Sequence, residues 1–121
     1  MRLDHIAYRV KNKQKAIEFF QNSLGYDIDP DLKEGFDIQF EDGTTARCHV
    51  LVPPESQSTC RERIFTGMFG IQAHAAPEIF VSEGSDNSIV KEWVDINGPG
   101  VHHLAYEVDS VSEMMELWKL E

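Results

Sequence analysis

The feature that most constrains this chain is a seven-residue pattern that occurs twice, once near the start and once near the end. Residues 4–10 read DHIAYRV and residues 102–108 read HHLAYEV, so both copies have the form x-H-(I/L)-A-Y-x-V. Polar and apolar residues alternate in both copies, which is typical of half-buried β-strands. The repeat predicts a fold built from two related units.

A helix is predicted after each copy of the pattern. After the first copy, a helical apolar spacing ends at Gly25, a residue that commonly terminates helices. After the second copy, Ser110 and Glu113 have the spacing of a capping box. An apolar stripe follows in that helix, which we interpret as core: Val111, Met114, Met115 and Trp118.

The segment between the two copies contains further strand candidates and one short helix. Asp42-Gly43 predicts a hairpin turn. The predicted strands cover residues 36–42, 44–52, 64–72 and 77–83, and the predicted helix covers 88–96. Strands grouped with helices in this order predict an α+β fold in a single domain of residues 1–121. We expect a βαβββ module at 1–84, a connecting helix at 85–100, and the start of an incomplete second module at 101–121.

Composition narrows the classes of partner. The chain has 121 residues and a formal net charge of −10, and such acidity repels the phosphates of nucleic acids. No apolar run approaches the ~20 residues that a membrane span needs. Charged residues stand in the N-terminal stretch where a signal peptide would be apolar. We therefore expect a cytoplasmic protein with no nucleic-acid or membrane partner.

The two cysteines predict no metal site and no structural disulfide. Cys48 and Cys60 form neither a CxxC pair nor a zinc-type spacing. In the cytosol, both are expected to be reduced thiols.

The repeated histidines, His5 and His103, are the main candidates for chemistry. A single histidine on a strand is most often a structural residue, but these two occupy the same position in two copies of one pattern. If the copies pair about a two-fold axis, the two imidazoles face each other, and Ala7 and Ala105 leave room for a ligand. Neutral imidazoles are good ligands for Zn, Fe, Ni and Co.

Glu78 is the candidate for an oxygen donor near the histidines. It shares a strand face with Phe80 and Ser82, and with two histidines it would complete a facial set of metal ligands. The alternative interpretation is an edge-strand glutamate that faces water. The other histidines are weaker candidates: His102 should lie on the opposite face from His103, and His49 and His74 have no partner in the repeat.

Four segments together resemble the vicinal-oxygen-chelate superfamily, which includes glyoxalases, bleomycin-resistance proteins and extradiol dioxygenases. They read DHIAYRV, KAIEFFQNSLGY, PEIFVSEG and GVHHLAYEVDSV. Residues 77–108 are most similar to methylmalonyl-CoA epimerases and 4-hydroxyphenylpyruvate dioxygenases. The resemblance implies a divalent metal (Fe, Zn, Co, Ni or Mn) bound by His5, Glu78 and His103, with Glu78 as the catalytic base if it is not a ligand.

One family feature has no counterpart in this sequence. The glutamate ligand that usually ends the second module is missing, because only 18 residues follow His103. A half-built second sheet exposes strand edges and apolar surface, so we expect a homodimer.

Three functions are compatible with the sequence. The first is a metal-dependent dioxygenase or epimerase/lyase acting on a small oxygen-chelating substrate of the keto-acid or acyl-CoA type. The second is a non-catalytic module that binds a small ligand, as bleomycin-resistance proteins do. The third is a structural remnant that only dimerises.

Overall fold

The computed structural model describes residues 1–54 and 76–119. The described strands form one mixed sheet, and two of the three α-helices pack on it. The elements in chain order are β1 (Arg2–Arg9), α1 (Lys13–Leu24), β2 (Asp27–Ile28), a 3-10 turn (Pro30–Leu32), β3 (Phe36–Gln39), β4 (Thr45–Val52), β5 (Glu78–Gly84), α2 (Ile89–Asn97), β6 (Gly100–Glu107) and α3 (Val111–Lys119). The predicted α+β class is confirmed. The predicted strand at 64–72 lies outside the described residues.

The sheet has the strand order β2-β4-β5-β1-β6, with β3 also paired to β4. β5 runs parallel to β1, whereas the neighbouring pairs are antiparallel. β1 therefore lies beside β5, and α1 provides the crossover from β1 to β2, a parallel strand that is separated from β1 in the sheet by β4 and β5. The predicted turn at Asp42-Gly43 joins β3 to β4, and Gly43 takes the left-handed conformation that the turn requires (φ 84°).

The main core lies between α1 and the sheet. Asn12 caps the start of α1 by accepting a hydrogen bond from the Lys15 amide, and Gly25 ends the helix in the left-handed conformation. The core cluster joins the inner face of α1 to the centre of the sheet, and its buried members are Ile17, Phe20, Tyr26, Leu51, Ile79 and Val81.

α2 connects the two copies of the repeated pattern. Ser88 caps it, and Val90 and Val94 are buried against the sheet. A side chain at Gly84 would place its Cβ 2.9 Å from the Val90 Cβ, so this close approach requires glycine. The packing fixes where β6 begins relative to β5.

β6 pairs with β1 in an antiparallel arrangement that has local two-fold symmetry. Ile6 lies opposite Leu104, His5 opposite Ala105, and Ala7 opposite His103. Equivalent positions of the repeat therefore exchange places across the pair, as expected if the two copies are related by a two-fold axis.

α3 differs from its predicted role in the core. Val111 is 66% exposed and Trp118 is 58% exposed. On β6, Leu104 and Tyr106 are also about half exposed. No described element covers this surface, and the homodimer stays a prediction. Among the described residues, no helix combines the length and hydropathy of a membrane span.

Candidate functional site

His5 and His103 lie together on one face of the sheet. Their ring centroids are 5.6 Å apart, and the rings meet edge to face. The sheet register adds Ala7, Glu78 and Phe80 to the same face, because cross-strand partners share a face. We call this surface the histidine face. The expected juxtaposition of two imidazoles from distant parts of the chain is present.

Regular alternation predicted that His102 and His103 lie on opposite faces of the strand. This prediction is wrong, because the two side chains are in contact. Ala7 pairs with His103 but Tyr8 pairs with Val101, so His102 is an extra residue in a β-bulge. The bulge brings Nδ1 of His102 within 2.9 Å of Nδ1 of His103. Sequence alternation cannot reveal this shift, because a bulge depends on the register of the partner strand.

His5 also belongs to a network of charged side chains on β1 and β6. Its Nδ1 lies 3.0 Å from Oδ2 of Asp4. Arg2 forms ion pairs with Asp4 at 2.9 Å and with Glu107 at 2.7 Å. The hydrogen bond from His5 is the main cause that lowers the pKa of Asp4, so this carboxyl stays ionised at neutral pH. Neither Asp4 nor Arg2 was among the site residues predicted from the sequence.

Phe80 holds the ring of His5 by stacking. The two ring centroids are 3.9 Å apart and the rings are nearly parallel, at 5°. Phe36 on β3 contacts the edge of Phe80, at 6.2 Å between centroids. Ala7 is buried, whereas Ala105 is partly exposed. Of the two alanines predicted to leave room for a ligand, only Ala105 borders solvent.

His103 is electrostatically suited to remain neutral. Burial lowers the pKa of its imidazole first, and the nearby His5 and Arg9 lower it further. A neutral imidazole keeps a lone pair available for a metal or a proton. The same physical cause, burial, also lowers the pKa of His102.

Glu78 lies directly opposite His5 in the parallel register between β5 and β1. Burial raises the pKa of its carboxyl, and the negative charges of Asp4 and Asp29 raise it further. A carboxyl with a raised pKa keeps its proton to a higher pH than a solvent-exposed glutamate does.

Replacing Glu78 with glutamine is expected to stabilise the fold at neutral pH and to have no such effect at acid pH. Because the pKa is raised in the folded state, the folded protein binds the proton more tightly than the unfolded chain does. The stability that protonation contributes is fully present below pH 4.5 and is lost as pH rises through the folded-state pKa. Urea unfolding of wild type and Glu78→Gln across this range measures the difference. The exposed Glu41→Gln is the control, and a difference that does not change with pH would contradict the prediction.

The remaining candidates of the sequence lie away from this pair. His49 lies on β4 opposite Val81, which places it on the other face of the sheet. Its Nδ1 is buried without a hydrogen-bond partner in the part of the chain described here. Cys48 is a buried free thiol, and burial raises its pKa. His74 and Cys60 lie outside the described residues.

The fit of a metal to these residues is partial. The two imidazoles supply suitable nitrogen donors. Within residues 1–54 and 76–119, however, no three His, Cys, Asp or Glu side chains are grouped closely enough to hold a metal ion. Glu78 is therefore close in register to His5, but it does not complete a three-ligand set with the histidine pair.

A separate cavity of about 490 Å³ lies beyond the C-terminal end of β1. It is open and carries side chains of both charge signs. Its lining includes Val10, Lys11, Glu83, Asp86, Lys91 and Asp95. Neither histidine of the pair contributes to it.

Several solved structures have a similar fold. Methylmalonyl-CoA epimerase from Mycobacterium tuberculosis has a TM-score of 0.60 at 21% identity, covering 98% of this chain and 63% of that one. A hypothetical protein from Bacillus halodurans C-125 has a TM-score of 0.61 at 21% identity, covering 98% and 67%. A variant of Streptomyces coelicolor methylmalonyl-CoA epimerase, in complex with 2-nitronate-propionyl-CoA, has a TM-score of 0.56 at 18% identity, covering 99% and 71%. At these identities the likeness establishes the fold alone.

The chain spans less than two thirds of the length of the mycobacterial epimerase. No curated protein matches it. The family model of the Glyoxalase/Bleomycin resistance protein/Dioxygenase superfamily matches residues 4–119, and the chain therefore belongs to that superfamily.

Proposed function

We propose that the histidine face binds a small oxygen-bearing substrate together with a divalent metal held by His5 and His103. One observation carries this proposal. Two equivalent imidazoles, 98 positions apart in the chain (103 − 5), are brought to 5.6 Å between ring centroids by the local two-fold pairing of β1 and β6.

The metal would be held by two protein nitrogens, and oxygens of the substrate or water would occupy the other positions. Imidazole donors accept Fe, Zn, Co, Ni or Mn, so the donor set does not select among these metals. When bound, such an ion supplies Lewis-acid stabilisation of negative charge that develops on a substrate oxygen. The His5 and His103 rings orient the substrate oxygens over the β1–β6 pair.

Glu78 is the proposed catalytic base. It lies on the histidine face opposite His5 but is not grouped with the imidazoles as a ligand. Its carboxylate would take a proton from the carbon next to a substrate carbonyl and return it later. A pKa raised by burial brings the carboxyl closer to the operating pH, which favours both proton transfers.

The substrate class proposed is an acyl-CoA or keto-acid with an acidic proton next to its carbonyl. The structural neighbours include epimerases that act on methylmalonyl-CoA, one of them in complex with 2-nitronate-propionyl-CoA. We favour an epimerase-like proton transfer over a dioxygenase, because the position of Glu78 opposite His5 supports a role as a base.

Exchange of substrate protons in D₂O tests this reaction. Methylmalonyl-CoA incubated with the protein and Co²⁺ should gain deuterium at its α-carbon, and Glu78→Gln should slow the exchange by about 10²–10⁴-fold. Glu41→Gln serves as the matched control, since Glu41 is exposed in a turn outside the sheet. Exchange at the same rate with and without Glu78 would remove the base assignment. No exchange with either an acyl-CoA or a keto-acid would remove the enzyme proposal.

A second candidate is a non-catalytic module that binds a small ligand. The absence of a three-ligand cluster among the described residues favours it, as does the stacking of Phe80 on His5, which gives this face a partly apolar surface. Ligand binding that persists in a His5→Ala/His103→Ala double variant would support this function over the metal enzyme.

A further inference from the structure

Two β-bulges occur at equivalent positions of the repeat. On β1, Leu3 pairs with Tyr106 and His5 with Ala105, so Asp4 is the extra residue. On β6, His102 is the extra residue. Asp4 and His102 both occupy the first position of the pattern x-H-(I/L)-A-Y-x-V, and each directly precedes one histidine of the pair.

The bulges allow contacts that a regular strand forbids. Consecutive side chains of a regular strand point to opposite faces and cannot hydrogen-bond to each other. Here Asp4 reaches Nδ1 of His5 at 3.0 Å, and His102 reaches Nδ1 of His103 at 2.9 Å. A bulge commonly redirects a side chain in this way beside a functional site.

We propose that Asp4 and His102 are positioning residues, which hold His5 and His103 in the Nδ1–H tautomer and leave both Nε2 lone pairs free as donors. The role of these residues in metal binding rests on the proposed function. The tautomers themselves can be tested without that function, because they are measured on the metal-free protein.

The direction of the first hydrogen bond follows from chemistry alone. An ionised carboxylate only accepts, so the proton of the Asp4–His5 bond lies on Nδ1 of His5. Arg2 bonds to Oδ1 of Asp4 and leaves Oδ2 for the imidazole. A carboxylate that accepts from a ligating histidine fixes the orientation and tautomer of its ring.

The direction of the second bond is assigned by symmetry with the first. One of the two rings must donate between Nδ1 of His102 and Nδ1 of His103. If His103 donates, its Nε2 keeps a lone pair, as in His5. Trp93 contacts the edge of the His102 ring, at 5.5 Å between centroids, and so limits the movement of the accepting ring.

Long-range ¹H–¹⁵N correlation spectra of the metal-free protein at about pH 8 test this inference, because they report which ring nitrogen carries the proton. In wild type, His5 and His103 should both carry the proton on Nδ1. Asp4→Ala should move the proton of His5 alone to Nε2, and His102→Ala should move that of His103 alone. Each variant is thus the control for the other, and an amide fingerprint spectrum verifies folding.

Conservative variants separate hydrogen bonding from packing. His102→Asn supplies an amide oxygen that can accept from Nδ1 of His103, and Asp4→Glu keeps two carboxylate oxygens, one for Arg2 and one for His5, so both variants should retain the Nδ1–H tautomer of the following histidine. The alanine variants should also weaken Co²⁺ binding by about 10–100-fold, and the conservative variants by less. A proton on Nε2 of either ring in wild type, or tautomers that the alanine variants do not change, would overturn the inference. Correct tautomers without any Co²⁺ binding would instead overturn only the proposed function.

Discussion

His5→Ala and His103→Ala are each expected to lower the affinity for Co²⁺ by more than about 100-fold. Loss of a partner outside the ligand set typically costs about 10–100-fold, and loss of a ligand itself should exceed that range. The effect should be large because the described residues provide two imidazoles but no third His, Cys, Asp or Glu grouped with them. Removing either imidazole would leave a single protein donor.

Isothermal titration of metal-free protein with Co²⁺ measures this effect, with metal content of the purified protein as a second readout. His49→Ala is the matched control, because His49 is also a strand histidine but lies on the other face of the sheet. The double variant should lose little more than either single variant, since both rings are proposed to hold the same ion. Equal affinity in wild type and both single variants would rule out the proposed metal centre.

Leu51→Ala is expected to destabilise the fold by about 2–5 kcal/mol, whereas Leu24→Ala should cost less than ~0.5 kcal/mol. Leu51 is fully buried at the centre of the core cluster between α1 and the sheet. Its truncation removes apolar burial and leaves a cavity. Leu24 undergoes the same chemical change at the end of α1, where its side chain is 51% exposed.

Urea denaturation followed by circular dichroism compares the two variants. Equal losses of unfolding free energy would show that the cluster around Leu51 is not the main core. Because Leu51 lies opposite Ile79, on the face of the sheet away from Glu78 and Phe80, Leu51→Ala should affect the histidine face only through global unfolding. Co²⁺ affinity measured well below the unfolding midpoint should therefore stay close to the wild-type value.

The repeated pattern made the central geometry predictable. Because residues 4–10 and 102–108 share one pattern, sequence analysis could infer that the two strands pair about a two-fold axis and bring His5 and His103 together. The C-terminal end of α1 and the β3–β4 turn were also predictable, since Gly25 and Gly43 have strong local preferences. These features depend on short stretches of sequence or on comparison of the two copies.

The contacts that refine the site were not predictable in the same way. The positions of Asp4 and His102 depend on bulges, and a bulge is a property of two strands in register. The stacking of Phe80 on His5 depends on the parallel register between β5 and β1. α3 has the pattern of a core helix, yet its stripe is exposed, because a pattern does not specify what an element packs against.

The two-fold relation between β1 and β6 does not by itself specify the orientation of a bound molecule. A dyad through Ile6 and Leu104 offers any asymmetric molecule two equivalent poses, differing by a half-turn. Among the described residues, β5 breaks this symmetry most directly, because it sets Phe80 and Glu78 beside His5 and not beside His103. Which end of a substrate meets the carboxylate, and hence which carbon can react, would then depend on one neighbouring strand and not on the proposed metal-binding pair.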